Sequence, residues 1–447
     1  MTENRRKVDA MLKDFILTND ALLKVSALLL QEFNKGLSST YHDEATVKMF
    51  PTFVRDVPDG SEKGKFLALD LGGTNFRVLC IDLDGDQCNM VNEIYEIPEY
   101  IMLGSGEQLF DHIADCLGHY LVTLGLTHRT LPLGFTFSFP CVQKGLTSAF
   151  LVGWTKGFNC SGVQGKDVVQ LLRQAVKRKG KSIDVVAIVN DTTGTLMSCA
   201  HKNRDCRVGL IVGTGTNACY MENLDNVETW PVDRDAPNQV IINTEWGAFG
   251  DNGCLDFLRT EFDHQVDENS LNKGKQLYEK MISGMYMGEI VRRIVVKLAN
   301  EGLMFKGNLS EKFNTPYAFK SKYVSNVESD PRHKNTETEI VLKKMGISEA
   351  SGEDCDILKL VCTRVSTRAA HLVSAGVATI LNKMKRTHTT VGVDGSVYRY
   401  HPHFRELMES KIDELTDPNY KFELMLSEDG SGRGAALVAA VAVRCTK

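Results

Sequence analysis

The stretch Lys65-Phe66-Leu67-Ala68-Leu69-Asp70-Leu71-Gly72-Gly73-Thr74-Asn75-Phe76-Arg77-Val78-Leu79-Cys80-Ile81 predicts two strands joined by a tight glycine turn. The first strand ends at an acidic residue, Asp70, and the second runs through apolar residues to Ile81. The pattern therefore predicts a β-hairpin that carries a carboxylate beside its turn.

A second stretch further along the chain has the same outline. Leu210-Ile211-Val212-Gly213-Thr214-Gly215-Thr216-Asn217-Ala218-Cys219-Tyr220 again predicts strand, glycine turn and strand, and its Gly-Thr-Asn aligns with that of the first turn. Two such units suggest a duplicated domain, although three identities in a turn can also recur by chance. Because strand patterns alternate with helix patterns along the chain, we assign it to the α/β class.

Helical periodicity is clearest at the two ends of the chain. Apolar residues recur at helical spacing in residues 8–15 and 22–33, and again in residues 361–384. A last helix is expected to open in the glycine-rich run 430–434, where Ser431 can cap it. Further strands are predicted at residues 133–139, 185–190 and 390–393.

The composition excludes several classes of protein. The chain has 447 residues with a formal net charge of −5, which gives no reason to expect nucleic acid as a partner. Its longest run of small apolar residues, 435–443, is half the length of a membrane-spanning helix, and no apolar signal core follows Met1. The 12 cysteines are scattered without zinc-site spacing, which favours free thiols in a reducing compartment, the cytoplasm.

Four glycine-rich loops can turn backbone N–H groups toward a phosphate. They lie at residues 72–74, 213–215, 394–396 and 430–432, and together they favour a nucleotide held between two domains. Neither the lysine-bearing P-loop nor the dinucleotide fingerprint fits, because no G-x-x-x-x-G-K-[ST] occurs and the turns lead into strands. Asp70 is placed to meet Mg²⁺ through water, and a carboxylate that only pins the turn by hydrogen bonds is an equal alternative.

Polar side chains cluster at predicted strand ends and turns. They are neutral hydroxyls and amides, two or three carboxylates and one lysine: Ser138, Thr155, Lys156, Asn190, Asp191, Asn217 and Glu245. Such groups suit a small polyhydroxylated molecule, because each sugar hydroxyl both donates and accepts. Taken singly, each of these residues is more often a cap or turn former than a ligand. Asp191 is the exception, since an acid beside Asn190 at the end of an apolar strand is costly to bury without a task.

The segment Leu133-Gly134-Phe135-Thr136-Phe137-Ser138-Phe139-Pro140, with Leu146, Leu151 and Trp154-Thr155-Lys156-Gly157-Phe158, resembles the sugar-binding signature of the hexokinase family. The resemblance extends over nearly the whole chain through Asp70 to Arg77, Val189-Asn190-Asp191-Thr192, Gly213 to Asn217, Asn243 to Gly250, Gln276 to Lys280, Gly392 to Ser396 and Gly430 to Ala436. In size, as one catalytic unit, the chain is similar to glucokinase-sized animal hexokinases.

The resemblance implies the actin-like ATPase (ribonuclease H-like) fold, with two α/β domains and a central interdomain cleft. It implies an N-terminal helical segment at 1–62 packing on the large domain, a small domain at 63–192, a large domain at 193–429, and a C-terminal helix at 430–447 returning to the small domain. The implied reaction moves the γ-phosphoryl group of MgATP to the 6-hydroxyl of glucose or a related hexose. Mg²⁺ would enter with ATP, and we expect a monomer.

Residue roles follow by match of motif. Asp191 would be the general base, and Lys156 would neutralise charge near the sugar and the transferring group. The implied sugar-site residues are Ser138, Phe139, Thr155, Lys156, Asn190, Asp191, Asn217, Glu245, Gln276 and Glu279. The implied ATP-site residues are Asp70, Gly72, Gly73, Thr74, Asn75, Arg77, Gly213 and Thr214 toward the phosphates, and Ser325, Gly395, Ser396 and Ser431 toward the adenosine.

Two departures and two rival interpretations remain. Some relatives carry Lys where Met285 stands, so that cation's contribution to ATP affinity is in doubt here. The N-terminus lacks the apolar docking segment of some larger hexokinases, so we do not expect mitochondrial attachment. An ATPase switch of the actin type would share the glycine turns but not the cluster from Ser138 to Lys156. A sugar sensor without turnover would have lost Asp191 or the phosphate turns.

Overall fold

The computed structural model of the protein describes residues 3–71, 75–85, 87–139, 141–154, 157–232, 234, 236–331 and 333–445. The helices are α1 (Glu3–Met11), α2 (Asn19–Leu37), α3 (Glu99–Met102), α4 (Gly106–Thr123), α5 (Val168–Arg178), α6 (Asp191–Lys202), α7 (Glu261–Glu268), α8 (Leu277–Ile282), α9 (Gly284–Asn300), α10 (Glu311–Asn314), α11 (Ser321–Glu328), α12 (Thr336–Lys344), α13 (Gly352–Met384), α14 (Ser396–Tyr400), α15 (Phe404–Leu415) and α16 (Gly430–Cys445). The strands are β1 (Phe50–Pro51), β2 (Lys63–Leu71), β3 (Asn75–Asp84), β4 (Gln87–Glu96), β5 (Leu131–Phe137), β6 (Cys141–Gly145), β7 (Ser148–Leu151), β8 (Ile183–Val189), β9 (Cys206–Val212), β10 (Thr216–Asn223), β11 (Gln239–Asn243), β12 (His388–Asp394) and β13 (Lys421–Leu426).

Two sheets have the same internal order. The first runs β4-β3-β2-β5-β8, and the second runs β1-β11-β10-β9-β12-β13. In each sheet a three-strand antiparallel unit continues into two parallel strands, with β2 and β9 as the strands where the direction changes. The second sheet carries one further strand, the short β1, which pairs antiparallel with β11. The predicted α/β class is confirmed, and the repeated topology supports the duplication that the two Gly-Thr-Asn turns suggested.

The N-terminal helices pack on the lobe built around the second sheet. Val8, Leu22, Val25, Leu29 and Phe33 are fully buried in the same hydrophobic cluster as the second sheet and α13. The apolar spacing predicted this burial, and Thr18 caps α2 by accepting a 3.2 Å hydrogen bond from the backbone N–H of Ala21. This packing supports the proposed placing of the first segment on the large domain.

The C-terminal helix α16 joins the lobes. It packs against β2, β5 and β8 and crosses α6 closely enough that a Cβ on Gly434 would overlap the backbone of Gly194. The proposed boundary between residues 192 and 193 falls inside α6. Because α6 packs against α16, these two helices lie where the two lobes meet. The prediction that Ser431 caps α16 is wrong: the helix begins at Gly430, and the Ser431 hydroxyl donates instead to Asp70.

Several edge strands were not predicted. The ten-residue β4 is mostly exposed because it forms the outer edge of its sheet, so it lacks the buried apolar alternation that marks a strand. The same holds for β13 at the edge of the second sheet. In contrast α13 extends further than its periodicity indicated, over 33 residues. Within the described residues, no helix has both the length and the apolarity needed to cross a bilayer.

Candidate active site

A cavity of about 800 Å³ lies between the two lobes. It is lined on one side by the ends of β5 and β8 and on the other by β10, β11 and the start of α8. Of the ten residues predicted for the sugar, eight line this cavity: Ser138, Phe139, Asn190, Asp191, Asn217, Glu245, Gln276 and Glu279. The other two, Thr155 and Lys156, lie outside the described residues.

Asn190 and Asp191 stand where β8 passes into α6. Asn190 is the N-cap of this helix, and its Oδ1 accepts a 3.0 Å hydrogen bond from the backbone N–H of Thr193. Its Nδ2 is buried at the cavity wall and has no hydrogen-bond partner among the residues that the structure describes. Buried donors are normally satisfied, so this amide group points to an acceptor on a ligand. The N–H of Thr192 donates 2.8 Å to Oδ1 of Asp191 and fixes the orientation of that carboxylate.

A hydrogen-bonded network holds the large-lobe side of the cavity. Asn243 Nδ2 donates 2.8 Å to Oε1 of Glu245, and Asn217 Nδ2 donates 2.8 Å to Oδ1 of Asn243. Burial raises the pKa of Glu245, and the charge of Asp191 raises it further, while the hydrogen bonds from Asn243 and Asn217 lower it. Glu245 also sits in the left-handed backbone region, with φ of 53°, which is an uncommon conformation concentrated at functional sites.

The short helix α8 presents Gln276 and Glu279 to the same cavity. The carboxylate of Asp251 accepts from the backbone N–H groups of Gln276 (3.1 Å) and Leu277 (2.9 Å), which ties down the start of α8. Glu279 Oε2 accepts 2.9 Å from the N–H of Thr216. A Cβ at Gly215 would stand 2.6 Å from that oxygen, so a larger residue at this position would displace the Glu279 carboxylate. Burial raises the pKa of Glu279 to about 7.

Three of the glycine loops predicted to bind ATP lie close to one another in the structure. None of the described residues predicted for ATP lines the 800 Å³ cavity. Gly395, with φ of 113°, abuts the backbone of Val212 and Gly213, where a Cβ would not fit. Asp394 connects the third and fourth glycine loops by accepting from the N–H groups of Gly395 (2.7 Å) and Gly430 (3.3 Å). Three of the four predicted loops are therefore contiguous.

Gly72, Gly73 and Thr74 of the first glycine turn lie outside the described residues. The residues on either side of the turn are described. Asp70 Oδ2 accepts 2.6 Å from the hydroxyl of Ser431 and lies 3.5 Å from Nη2 of Arg77, which is also paired with Asp429. Asn75 is exposed at the start of β3. The bond to Ser431 links Asp70 to α16, whereas the alternative role for Asp70 was to pin the glycine turn, which lies outside the described residues. One carboxylate beside a phosphate turn also fits an Mg²⁺ reached through water, and that contact stays a prediction.

The remaining adenosine-side residues lie on two helices that touch each other. Ser325 is half-buried on α11, and Ser396 begins α14, which packs against α11. Thr214 is exposed in the second turn, where its carbonyl accepts 3.1 Å from the N–H of Met285. No cluster of three or more metal-binding side chains occurs in the part of the chain that the structure describes.

Three residues that position this site were not predicted. Asn243 ends the apolar strand β11 much as Asn190 follows β8, so the same strand-end signal could have found it. Asp394 lies in a predicted glycine loop, but the sequence does not indicate that its carboxylate connects two of the loops. Asp251 has no local signal, because it caps a helix that begins 26 residues further along the chain. Contacts of this kind depend on the tertiary fold.

Comparison with known proteins decides the family. Family models described as hexokinase match residues 7–201 and 207–441, which together cover most of the chain. The chain belongs to the hexokinase family. Among curated relatives, mouse hexokinase HKDC1 is 49% identical over 98% of this chain, and human hexokinase-1 is 49% identical over 99% of it. Both matches cover only 48–49% of the relative, so the chain spans about half the length of these hexokinases.

Solved hexokinases confirm the fold. The hexokinase from Schistosoma mansoni complexed with glucose is 44% identical, with a TM-score of 0.89 over 98% of this chain and 99% of that one. A second crystal structure of a hexokinase, 30% identical, has a TM-score of 0.86 with similar coverage. The predicted two-domain actin-like ATPase fold is therefore confirmed.

Proposed function

We propose that this chain is an ATP-dependent hexokinase that transfers the γ-phosphoryl group of MgATP to the 6-hydroxyl of glucose and related hexoses. The observation that carries the proposal is the convergence of Asp191, Glu245 and Glu279 with the amides of Asn190 and Asn217 around one cavity. Carboxylates accept from sugar hydroxyls and amides donate to them, which is what a polyol needs. The Schistosoma mansoni relative was solved as a complex with glucose, which supports this choice of substrate.

Asp191 is the residue that takes the proton of the attacking hydroxyl. Its carboxylate is oriented by the N–H of Thr192, and it stands at the start of α6, where helix N–H groups favour negative charge. A positioned general base contributes roughly 10²–10⁴-fold to the rate. Positioning the hydroxyl in line with the phosphorus is the larger contribution, on the order of 7–11 kcal/mol in good cases.

The nucleotide is held by the contiguous glycine loops around Gly213, Gly395 and Gly430, with Arg77 and Ser431 beside them. Mg²⁺ bound to the ATP phosphates would supply charge neutralisation at the transferring group, with Asp70 as the carboxylate nearest the first turn. Lys156 is proposed to assist in that neutralisation. Closure of the two lobes about α6 and α16 would exclude water, the competing acceptor.

The test compares Asp191→Asn with Asp184→Asn, a matched change at an exposed position on the preceding strand. Hexose-dependent ADP formation is measured together with glucose binding by calorimetry. We expect Asp191→Asn to keep glucose binding and to lower kcat by about two or more orders of magnitude. The Asp184 variant should match the wild type. A wild-type protein that binds glucose without forming ADP would instead be the sugar sensor, and ATP turnover independent of sugar would indicate the ATPase switch.

We also infer a cytoplasmic monomer. All 12 cysteines are free thiols, which supports a reducing compartment. Light scattering on the purified protein at increasing concentration tests the monomer, because a mass that doubles with concentration would contradict it. Fractionation of the source cells tests the compartment.

A further inference from the structure

A buried lysine sits next to the sugar-facing carboxylate of α8. The Lys280 side chain is 3% exposed, and its ammonium donates to Oδ1 of Asp267 (2.7 Å), to Oγ of Ser270 (2.8 Å) and to the carbonyl of Asn272 (2.9 Å). All three of its hydrogens are therefore used, and all three partners belong to the segment that leads into α8. Burying an ammonium group at this depth has a large free-energy cost, because removing it from water costs several kcal/mol before its hydrogen bonds form.

The partners of Lys280 are themselves tied together. Asp267 also accepts 2.9 Å from the N–H of Gly274 and 3.3 Å from Arg259, while the hydroxyl of Ser270 donates 2.7 Å to the carbonyl of Asp267. The loop 267–274 is thus folded around one ammonium group. Gln276, with φ of 58°, follows this loop closely and begins the turn that carries Glu279.

We propose that Lys280 is a positioning residue for the sugar site: by holding the loop 267–274 against α8, it sets where Gln276 and Glu279 stand in the cleft. The proposal rests on the hexose-binding function proposed above. Asp251 fixes the backbone at the start of α8 from the other side, so the helix is held at two points. Lys280 touches no substrate and acts only through its neighbours.

The same ammonium has an electrostatic effect on Glu279. Burial raises the pKa of Glu279, the carboxylates of Glu245 and Asp191 raise it further, and the charge of Lys280 and the N–H of Thr216 lower it. The other charged residues among those described that line the cavity are Asp43, Glu44, Lys48, Asp251 and Lys275. Removing the Lys280 charge should therefore move the pH dependence of glucose binding upward, a response that simple loosening of the loop would not produce.

The test uses Lys280→Met, with Lys273→Met as its matched control. Lys273 lies on the same loop but is 62% exposed, and its ion pair with Glu268 is on the surface. Glucose dissociation constants are measured by calorimetry from about pH 6 to 9, alongside kcat and KM. We expect Lys280→Met to weaken glucose binding about tenfold or more, with an upward shift of the pH midpoint and a smaller change in kcat. The Lys273 variant should behave as the wild type.

A second variant protects the test against misfolding. Asp267 keeps Arg259 as a partner in Lys280→Met, so no lone buried charge remains, and thermal unfolding will show whether the variant folds. If it does not, Ser270→Ala removes one of the three acceptors without burying a charge and should weaken binding about two- to fivefold. Wild-type affinity and pH midpoint in the folded variants would overturn the proposal. Absence of turnover in a wild type that binds glucose would count against the proposed function alone.

Discussion

The backbone N–H of Thr216 donates a 2.9 Å hydrogen bond to Oε2 of Glu279, joining the second glycine turn to helix α8. The bond lowers the pKa of Glu279, but burial outweighs it, and the pKa is raised to about 7. The first residue of β10, directly after the second glycine turn, is thus in direct contact with a carboxylate that lines the cavity.

Glucose affinity should depend on pH near neutrality. A carboxyl whose pKa is raised on folding favours its protonated form, so ionising Glu279 costs stability as the pH rises toward about 7. Sugar hydroxyls donate to the ionised form and offset that cost, so the dissociation constant should fall as the pH rises from about 6 to 8. Calorimetry over this range measures it, and Glu279→Gln should bind more weakly with a flatter profile. A wild-type profile that weakens with rising pH would contradict the assignment.

Asn243→Ala should weaken sugar binding although Asn243 was not predicted as a site residue. The change removes the donor to Glu245 and the acceptor for Asn217 at once. Loss of a hydrogen bond to a buried carboxylate costs about 1.5–3 kcal/mol, which corresponds to a rise in the hexose KM of roughly tenfold or more. Steady-state kinetics measure this, with Asn238→Ala, whose hydrogen bonds are exposed, as the control. An unchanged KM would show that the network does not support the sugar site.

Met285→Lys should strengthen ATP binding. Met285 is 49% exposed, and its N–H is bonded to the carbonyl of Thr214, a residue proposed to face the phosphates. A new exposed cation there is worth about 0.2–1 kcal/mol, or roughly a 1.4- to fivefold lower KM for ATP. The KM for hexose should stay the same, and Met285→Leu should have no effect. A KM for ATP that does not fall at low ionic strength would place Met285 away from the nucleotide.

The positions of Gly194 and Gly434, where α6 and α16 cross, should not tolerate a side chain. A Cβ on Gly434 would overlap the carbonyl of Gly194, and one on Gly194 would approach the carbonyl of Gly430 to 2.9 Å. Overpacking of this kind typically costs about 1–3 kcal/mol, which in a chain of this length should lower the melting temperature of Gly434→Ala by roughly 1–3 °C. Gly352→Ala is the control, because a Cβ there meets nothing within 4 Å. Equal melting temperatures for the two variants would show that the helices can separate.

Eight of the ten residues predicted for the sugar line one cavity, and most of them lie in strand ends and turns with strong local signals. Asn190 follows an apolar strand, and Asn217 lies in a Gly-Thr-Asn turn. The strands β8 and β10 beside them are buried, so both strands are recognisable in the sequence as apolar runs. The family resemblance added Gln276 and Glu279, which have no such signal of their own.

What could not be predicted depends on contacts between distant parts of the chain. Ser431 was expected to cap its helix, but the first turn of α16 lies against β2, and its hydroxyl meets Asp70 instead. Asp251 accepts from the N–H of Leu277, 26 residues further along the chain, which only the tertiary fold brings to it. The edge strand β4 was missed because solvent exposure removes the alternation that identifies a strand. Local patterns thus identified residues that line the cavity, whereas the residues that hold them in place carry no local signal.

The most direct test is a crystal structure of the protein with bound hexose. We predict that the sugar lies in the cavity between the lobes, with its 6-hydroxyl oxygen about 2.6–3.2 Å from the carboxylate of Asp191 and its ring hydroxyls on Glu245 and Glu279. A sugar bound elsewhere, or one whose terminal CH₂OH is turned away from Asp191, would contradict the proposed function.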